Sequence, residues 1–253
     1  MITPEPGGYD RAAVRRVYDD MAAGYAVRFG SELSGPDSDT EFLDAALARL
    51  PAGPVLDVGC GPAQVSRYLI ARGRAAIGLD LSRAMLAQAA RLVPAARLIA
   101  ADLAELPVRR ASCAAAVASY SLHHLPRALL PAVLAGLRDV LAPGGVLVVI
   151  THGGDGEERL AQFDRRVLLS TYPADRLAGL LASCGLAPEL VTSRPPRPDE
   201  YPADKIRVSA RRSAGTGETA GFAEYQRPGP GFDDPGPGRS RELARASDQE
   251  HGR

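Results

Sequence analysis

Two acidic residues frame a glycine turn in the first quarter of the chain. Val55-Leu56-Asp57-Val58-Gly59-Cys60-Gly61-Pro62-Ala63 runs from a short apolar segment into a helical pattern. Glycines at such a junction permit a tight turn and let the backbone approach a ligand closely. Asp80 ends the next apolar segment, 19 residues after Gly61. That spacing sets a carboxylate at the tip of the neighbouring strand, where it can accept both hydroxyl hydrogens of a ribose. Together the turn and the acid point to a nucleoside ligand. A dinucleotide fingerprint asks for a third glycine where Gln64 stands, and it needs no acid at the position of Asp57. An acid there suits the amino end of an amino-acid-bearing nucleoside, directly or through water.

The histidines are the other candidates for chemistry. His123 and His124 follow the apolar run Ala115 to Ser119, and His152 follows the run Val146 to Ile150. Both places lie at the sheet edge where ligands of open α/β sheets bind. Neutral imidazole suits a general base near pH 7. Successive residues in a turn point differently, so only one of His123 and His124 is expected to act. His152 is a second candidate base or substrate contact, and the remaining histidine, His251, lies in the tail and is set aside. The cysteines Cys60, Cys113 and Cys184 are odd in number and far apart. They make neither a disulfide framework nor a metal-ligand spacing, so no metal is expected. Cys60 reads as a small residue in the turn, and Met21 and Met85 read as core or cover.

These groups need a scaffold, and the apolar pattern supplies one. Val55–Val58 is a short strand, Gln64–Arg72 a helix, Ala75–Leu79 a strand and Ala84–Leu92 a helix. Arg97–Ala101 and Ala115–Ser119 follow as strands. Leu129, Leu130, Val133, Leu134, Leu137 and Leu141 have a helical period, and Pro143-Gly144-Gly145 stops that helix before the strand Val146–Ile150. Such alternation predicts a Rossmann-like α/β fold, a doubly wound and mostly parallel sheet with helices on both faces. A helix over Ala174–Ser183 precedes two final strands, Leu186–Thr192 and Ile206–Ala210. The loop between those strands is too short for a crossover, so they are expected to pair antiparallel. Helices over about Asp10–Ala23 and Asp39–Leu50 form an N-terminal cover. The strand Ala114-Ala115-Ala116-Val117-Ala118 is thin, so its neighbours must supply bulk.

At this point the chain resembles the class I S-adenosylmethionine-dependent methyltransferases of the small-molecule type, over roughly Tyr9 to Arg211. Leu56-Asp57-Val58-Gly59-Cys60-Gly61-Pro62 is similar to the first motif of that family, and Asp80 to its ribose-binding acid. Ala101-Asp102-Leu103 resembles the third-strand motif, whose acid bonds the adenine amino group while the next residue packs on the ring. Ser119-Tyr120-Ser121-Leu122-His123-His124-Leu125 resembles the fourth-strand motif, and Leu141-Ala142-Pro143-Gly144-Gly145 the turn before the fifth strand. Tyr18-Asp19-Asp20-Met21-Ala22-Ala23-Gly24-Tyr25 resembles an N-terminal segment in which Tyr25 would lie over the methionine end of the cofactor. The resemblance implies S-adenosyl-L-methionine as cofactor, bound by Tyr25, Asp57, Gly59, Cys60, Gly61, Asp80, Leu81, Asp102, Leu103 and Ser119. It favours His124 over His123 as the catalytic base. The family's usual third glycine is Ala63 here, read as a mild change, and its usual Phe-Asp before the fourth strand is Cys113-Ala114.

Composition narrows the remaining choices. The 253 residues carry 30 basic and 30 acidic side chains, so no basic footprint for nucleic acid is expected. One basic residue, Lys205, is lysine and the other 29 are arginine; with 43 alanines this suits a GC-rich genome and a bacterial secondary pathway. No apolar run reaches bilayer length and no secretory signal opens the chain, so a cytoplasmic protein is expected, monomeric or homodimeric, without membrane partners. Three segments are expected: a helical cover over 1–50, the cofactor-binding domain over 51–212, and a disordered tail over 213–253. The 41 tail residues hold eight Gly and four Pro, too little apolar matter to offset ordering. Two regions should roof an acceptor pocket, namely the N-terminal helices with Tyr9, Tyr18, Tyr25 and Phe29, and Glu157–Tyr172 with Phe163 and Arg166. Glu200 and Tyr201 belong to a surface hairpin within reach of the same edge. Methyl transfer to a small molecule is the first reading. The alternative is a cofactor-binding fold that catalyses a non-methylating reaction or serves as a partner subunit. A nicotinamide-dependent oxidoreductase is disfavoured by Gln64 and Asp57.

Overall fold

The computed structural model describes residues 9–30, 33, 39–162, 165–198 and 200–213. Phe163, His251 and the tail after Ser213, with its Phe222 and Tyr225, lie outside the described residues.

A seven-stranded sheet carries the molecule. Its strands are β1 (Val55–Val58), β2 (Ala76–Asp80), β3 (Arg97–Ala100), β4 (Cys113–Ser119), β5 (Leu141–His152), β8 (Leu186–Arg194) and β9 (Lys205–Arg212). They lie in the order β3-β2-β1-β4-β5-β9-β8. The first five are parallel, β9 runs antiparallel to β5, and β8 runs antiparallel to β9. The expected doubly wound, mostly parallel sheet with an antiparallel C-terminal strand is therefore present. The strand order reverses between β1 and β4, and that switch point opens a crevice at the carboxyl ends of the strands.

The helices are α1 (Arg11–Phe29), α2 (Thr40–Ala46), α3 (Gln64–Ala71), α4 (Arg83–Leu92), α5 (Leu130–Val140) and α6 (Ala174–Ser183). Asp10 caps α1, its carboxylate accepting the Ala13 N–H at 2.8 Å. The helix runs six residues beyond the expected Ala23, straight through Gly24, while α2 stops four residues short of Leu50.

Every residue of β4 from Cys113 to Ala118 is buried, and larger side chains from both faces fill the space that its alanines leave. Ala116 and Ala118 face a core with Leu130, Val133, Leu134 and Leu137 of α5. Ala115 and Val117 face Phe42 and Leu43 of α2 with Tyr68 and Leu69 of α3. Interiors pack to near-crystal density, so thin strands and bulky helices are complementary.

One element escapes the sequence pattern. Glu157–Tyr172 is largely a hairpin, β6 (Gly156–Gln162) against β7 (Arg165–Thr171), separate from the main sheet. Charged residues at Glu157, Glu158, Arg159, Arg165 and Arg166 mask its β character. Val167, Leu169, Ser170 and Thr171 of β7 are buried. Among the described residues no helix is long and apolar enough to cross a membrane.

Candidate active site

The glycine turn after β1 is held by the acid at the tip of β2. Gly59 and Gly61 take φ of +68° and +51°, the left-handed region that glycine enters freely. A side chain at Gly59 would overlap Ser121, which follows β4. The Gly61 N–H donates to Asp80 Oδ2 at 2.8 Å, and the Ser82 N–H donates to Asp80 Oδ1 at 2.8 Å. A carboxylate has about four lone-pair directions, so each oxygen keeps capacity for a further donor. Asp57 lies buried beneath the turn, where its Oδ2 accepts the Ser66 N–H at 2.8 Å and the Ser66 hydroxyl at 2.7 Å. Burial pushes the Asp57 carboxyl up to about 7, despite the Ser66 hydrogen bonds that oppose it. Loss of water also raises Asp80.

Ala63 corrects an expectation. It is fully buried and sits at φ +69°, in the left-handed region, as the N-cap of α3. A Cβ there costs roughly 1–2 kcal/mol. The change from glycine is therefore a strained position rather than a mild one.

The turn forms one wall of a cleft that is open to solvent. Tyr25, Gly59, Cys60, Gly61, Asp80, Leu81, Leu103 and Ser119 all line it, as do Gln64, Tyr120, Ser121 and Met85. Burial holds the Cys60 thiol well above its usual range, so it is an inert filler of the turn. Its sulfur packs against Gly78, where a Cβ would come within 2.9 Å of it. Asp57 and Asp102 stand outside this lining. Asp102 instead pairs with Arg11 at 3.3 Å and accepts the Ala104 N–H at 2.9 Å.

Helix α1 forms the opposite wall with Tyr9, Val14, Arg15, Tyr18 and Tyr25. It is pinned to the start of α4 by Asp19, whose Oδ1 accepts the Ser82 hydroxyl at 2.6 Å and the Ala84 N–H at 3.3 Å. Tyr18 and Tyr25 lie two turns apart on one helix face, their rings meeting edge-on with centroids 6.2 Å apart.

The histidines converge. Leu122–His124 form a 3₁₀ turn after β4, and both imidazoles are buried. Their Nε2 atoms stand 3.1 Å apart and their rings meet edge-on at 4.2 Å. The expectation that successive residues diverge fails because a single tight turn lets the two side chains fold toward one point. His124 lines the cleft, whereas His123 lies behind it. His124 Nδ1 is 2.7 Å from the Leu168 carbonyl of β7, and His124 Nε2 is 2.7 Å from Tyr18 Oη. Burial lowers both imidazoles, His123 well below its usual value. His152 also falls, to about 4, through burial and the nearby Lys205. It lies between Tyr120 at 4.8 Å and Tyr201 at 4.6 Å, its ring tilted 45° to each. Glu200 is held away in a pair with Arg194 at 2.6 and 2.7 Å, consistent with a braced hairpin.

Tyr18, expected in the roof of the acceptor pocket, shares a helix face with Tyr25 seven residues on. Tyr120, within the fourth-strand motif, sits at φ +52°, a rare conformation for an aromatic residue, directly after β4. Gln64 Oε1 and Ser121 Oγ are buried polar atoms without a hydrogen-bond partner among the described residues. Such atoms on a cleft wall fit a polar ligand. Among the described residues no group of three or more His, Cys, Asp or Glu side chains is placed to hold a metal ion.

Known proteins resemble this chain in sequence and in fold. Residues 55–145 match the family model of a methyltransferase domain. A trans-aconitate 2-methyltransferase from Methylobacterium nodulans is 37% identical over 172 residues, 65% of this chain and 62% of that protein. A malonyl-[acyl-carrier protein] O-methyltransferase from Enterobacter lignolyticus is 35% identical over 127 residues, 49% of this chain and 50% of that protein. The chain thus matches only about half to three fifths of the length of these relatives. In three dimensions the chain superposes on the 1,6-didemethyltoxoflavin-N1-methyltransferase of Burkholderia thailandensis, solved with 1,6-didemethyltoxoflavin and S-adenosylhomocysteine. The TM-score is 0.66 at 22% identity, over 84% of this chain and 92% of that one.

Proposed function

We propose that this chain, whose residues 55–145 match the model of a methyltransferase domain, transfers a methyl group from S-adenosylmethionine to a small-molecule acceptor. The observation that carries the reading is the single cleft between two walls. One wall is a glycine turn braced by Asp80, and the other carries tyrosines next to a buried imidazole.

The residues fit the cofactor. Gly59 and Gly61 leave the backbone open to close approach, and Asp80 keeps lone pairs for ribose hydroxyls. The unpartnered Gln64 Oε1 suits a donor such as the ammonium end of an amino acid. Leu81 and Leu103 offer apolar surface for a base, with Tyr25 covering the opposite end. Asp57 and Asp102 act at one remove: Asp57 supplies negative field beneath the turn, and Asp102 fixes the loop that carries Leu103. When bound, the cofactor supplies an electrophilic methyl group on a positively charged sulfur.

Transfer from such a donor needs little covalent help. The protein must orient the acceptor, exclude water and, where the acceptor is protonated, take a proton. His124 is the base in this reading. Its Nδ1–H is committed to Leu168, which leaves Nε2 for the proton. A small acceptor suits the neutral charge balance and the acceptors named for the relatives. A cytoplasmic setting without nucleic-acid or membrane partners, as monomer or homodimer, completes the reading.

Calorimetric titration with S-adenosylhomocysteine and with NADH tests the ligand class. One-site binding of S-adenosylhomocysteine is expected. Binding of NADH alone would return the fold to the oxidoreductases.

A further inference from the structure

His124 has three polar neighbours and only two ring nitrogens. The Leu168 carbonyl can only accept, so Nδ1 carries the proton and, in the neutral ring, Nε2 carries the lone pair. That one in-plane lone pair has two claimants, Tyr18 Oη at 2.7 Å and His123 Nε2 at 3.1 Å. Tyr18 and His124 both line the cleft, whereas His123 does not. The tyrosine oxygen therefore occupies the place on the imidazole that an acceptor would need for direct contact.

Building on the methyl-transfer reading above, we propose that Tyr18 and His124 form a proton relay serving an un-ionised acceptor, a hydroxyl or N–H group, with His123 as the positioning residue behind them. The acceptor oxygen or nitrogen bonds to the methyl carbon as the carbon–sulfur bond breaks, and the bonding pair stays on sulfur. The acceptor's proton passes to Tyr18 Oη, and the Tyr18 proton passes to His124 Nε2. Tyr18 ends neutral and His124 ends as imidazolium, so one proton has moved and nothing is oxidised. The imidazolium then donates through Nδ1 to Leu168 and through Nε2 to Tyr18 Oη or His123 Nε2. Two imidazoliums this close would repel, so the pair takes up one proton as a unit.

The surroundings favour an acceptor that brings a proton. The groups around the relay are Tyr25 of α1, Asp80 of β2, Tyr120 after β4, and His152 of β5 with Lys205 of β9 behind it. Lys205 is matched, pairing with Asp39 at 3.3 Å and Glu200 at 3.4 Å, while Arg15 on the cleft wall stands 4.0 Å from Asp19. A carboxylate acceptor would have no proton to give to the relay. Burial keeps both imidazoles neutral at pH 7 and raises the Tyr18 phenol, so the relay starts as a neutral phenol beside an empty base.

The test uses the full chain saturated with S-adenosylhomocysteine. Failure of that ligand to bind counts against the methyl-transfer reading, and only a binding-competent protein goes forward to test the relay. Nitrogen-15 NMR at neutral pH should find His124 neutral with its proton on Nδ1, and Tyr18→Phe should shift its Nε2 resonance. An imidazolium, or a proton on Nε2 in the neutral ring, overturns the relay. Turnover is then read with labelled methyl donor and three probe sets: phenols, azoles with an N–H, and benzoates. Label is expected on the first two sets. Tyr18→Phe should lower kcat by about 100-fold or more, as for loss of a proton acceptor, with S-adenosylhomocysteine affinity retained. His123→Asn, or His123→Gln where Asn fails to fold, should move the acid limb of kcat while KM stays constant, because the neutral ring that faces His124 Nε2 at 3.1 Å is gone. Label on benzoates alone, or a wild-type pH profile in both variants, overturns the proposal.

Discussion

Asp80 Oδ2 accepts the Gly61 backbone N–H at 2.8 Å, joining the tip of β2 to the glycine turn after β1. One carboxylate thus shapes the turn and still presents lone pairs to the cleft. Asp80→Ala is expected to weaken S-adenosylhomocysteine binding by about 1.5–3 kcal/mol, the range for a hydrogen bond to a charged group. Asp80→Asn should lose less, because an amide oxygen can still accept from Gly61. Titration calorimetry of the two variants checks the order, and equal affinity in both and in the wild type would remove the ribose from this position.

Asp57 predicts a pH dependence with a definite sign. Its carboxyl titrates near 7 in the folded chain, against an ordinary value of 3.8. Between about pH 4 and 7 the folded state holds a proton that the unfolded chain has lost, so the contribution to stability falls as pH rises through that window. Asp57→Asn removes the charge and keeps an acceptor for Ser66. The variant should melt higher than the wild type at pH 8 and nearly alongside it at pH 4. In the wild type, affinity for S-adenosylhomocysteine should drop as pH falls below 7, since the protonated acid no longer attracts an ammonium group. Thermal melts and calorimetry across that range read both effects.

Gly59→Ala should be the most damaging single change in the turn. It sets a Cβ at φ +68° and drives it into the Ser121 side chain. The backbone strain alone is of order 1–3 kcal/mol. Adding Ser121→Gly should recover the steric part and leave the strain, so the double variant should melt between Gly59→Ala and the wild type.

Ala63 offers the opposite case. Ala63→Gly relieves about 1–2 kcal/mol of left-handed strain. It also removes a buried methyl worth about 0.8 kcal/mol, packed against Ala89 and Val93. Denaturant melts should therefore show a change within about 1 kcal/mol, on the stabilising side.

Much of this architecture is legible in the residues. β1, α3, β2, α4, β3, α5 and β9 stand out because each apolar run is bounded by glycine, proline or a polar turn, and their order predicts the parallel sheet and its ligand edge. Eight of the ten residues expected at the cofactor come together on one cleft, Tyr25 from α1 and the other seven from the turns and loops at the strand tips. What the sequence hides depends on contacts between distant segments. Asp102 meets Arg11 through an ion pair that joins α1 to the loop after β3. The hairpin of β6 and β7 is masked by its charges, yet its Leu168 carbonyl sets the tautomer of His124. The meeting of His123, His124 and Tyr18 depends on a 3₁₀ turn and on the packing of α1, neither of which has a local signature.

Incubation of the full chain with methyl-labelled S-adenosylmethionine and a panel of small-molecule acceptors tests the central claim most directly. A labelled product, heavier by one methyl group and formed in step with S-adenosylhomocysteine, is the predicted result. Tight binding of S-adenosylhomocysteine with no label transferred to any acceptor would contradict methyl transfer and favour a non-methylating role for the same cofactor cleft.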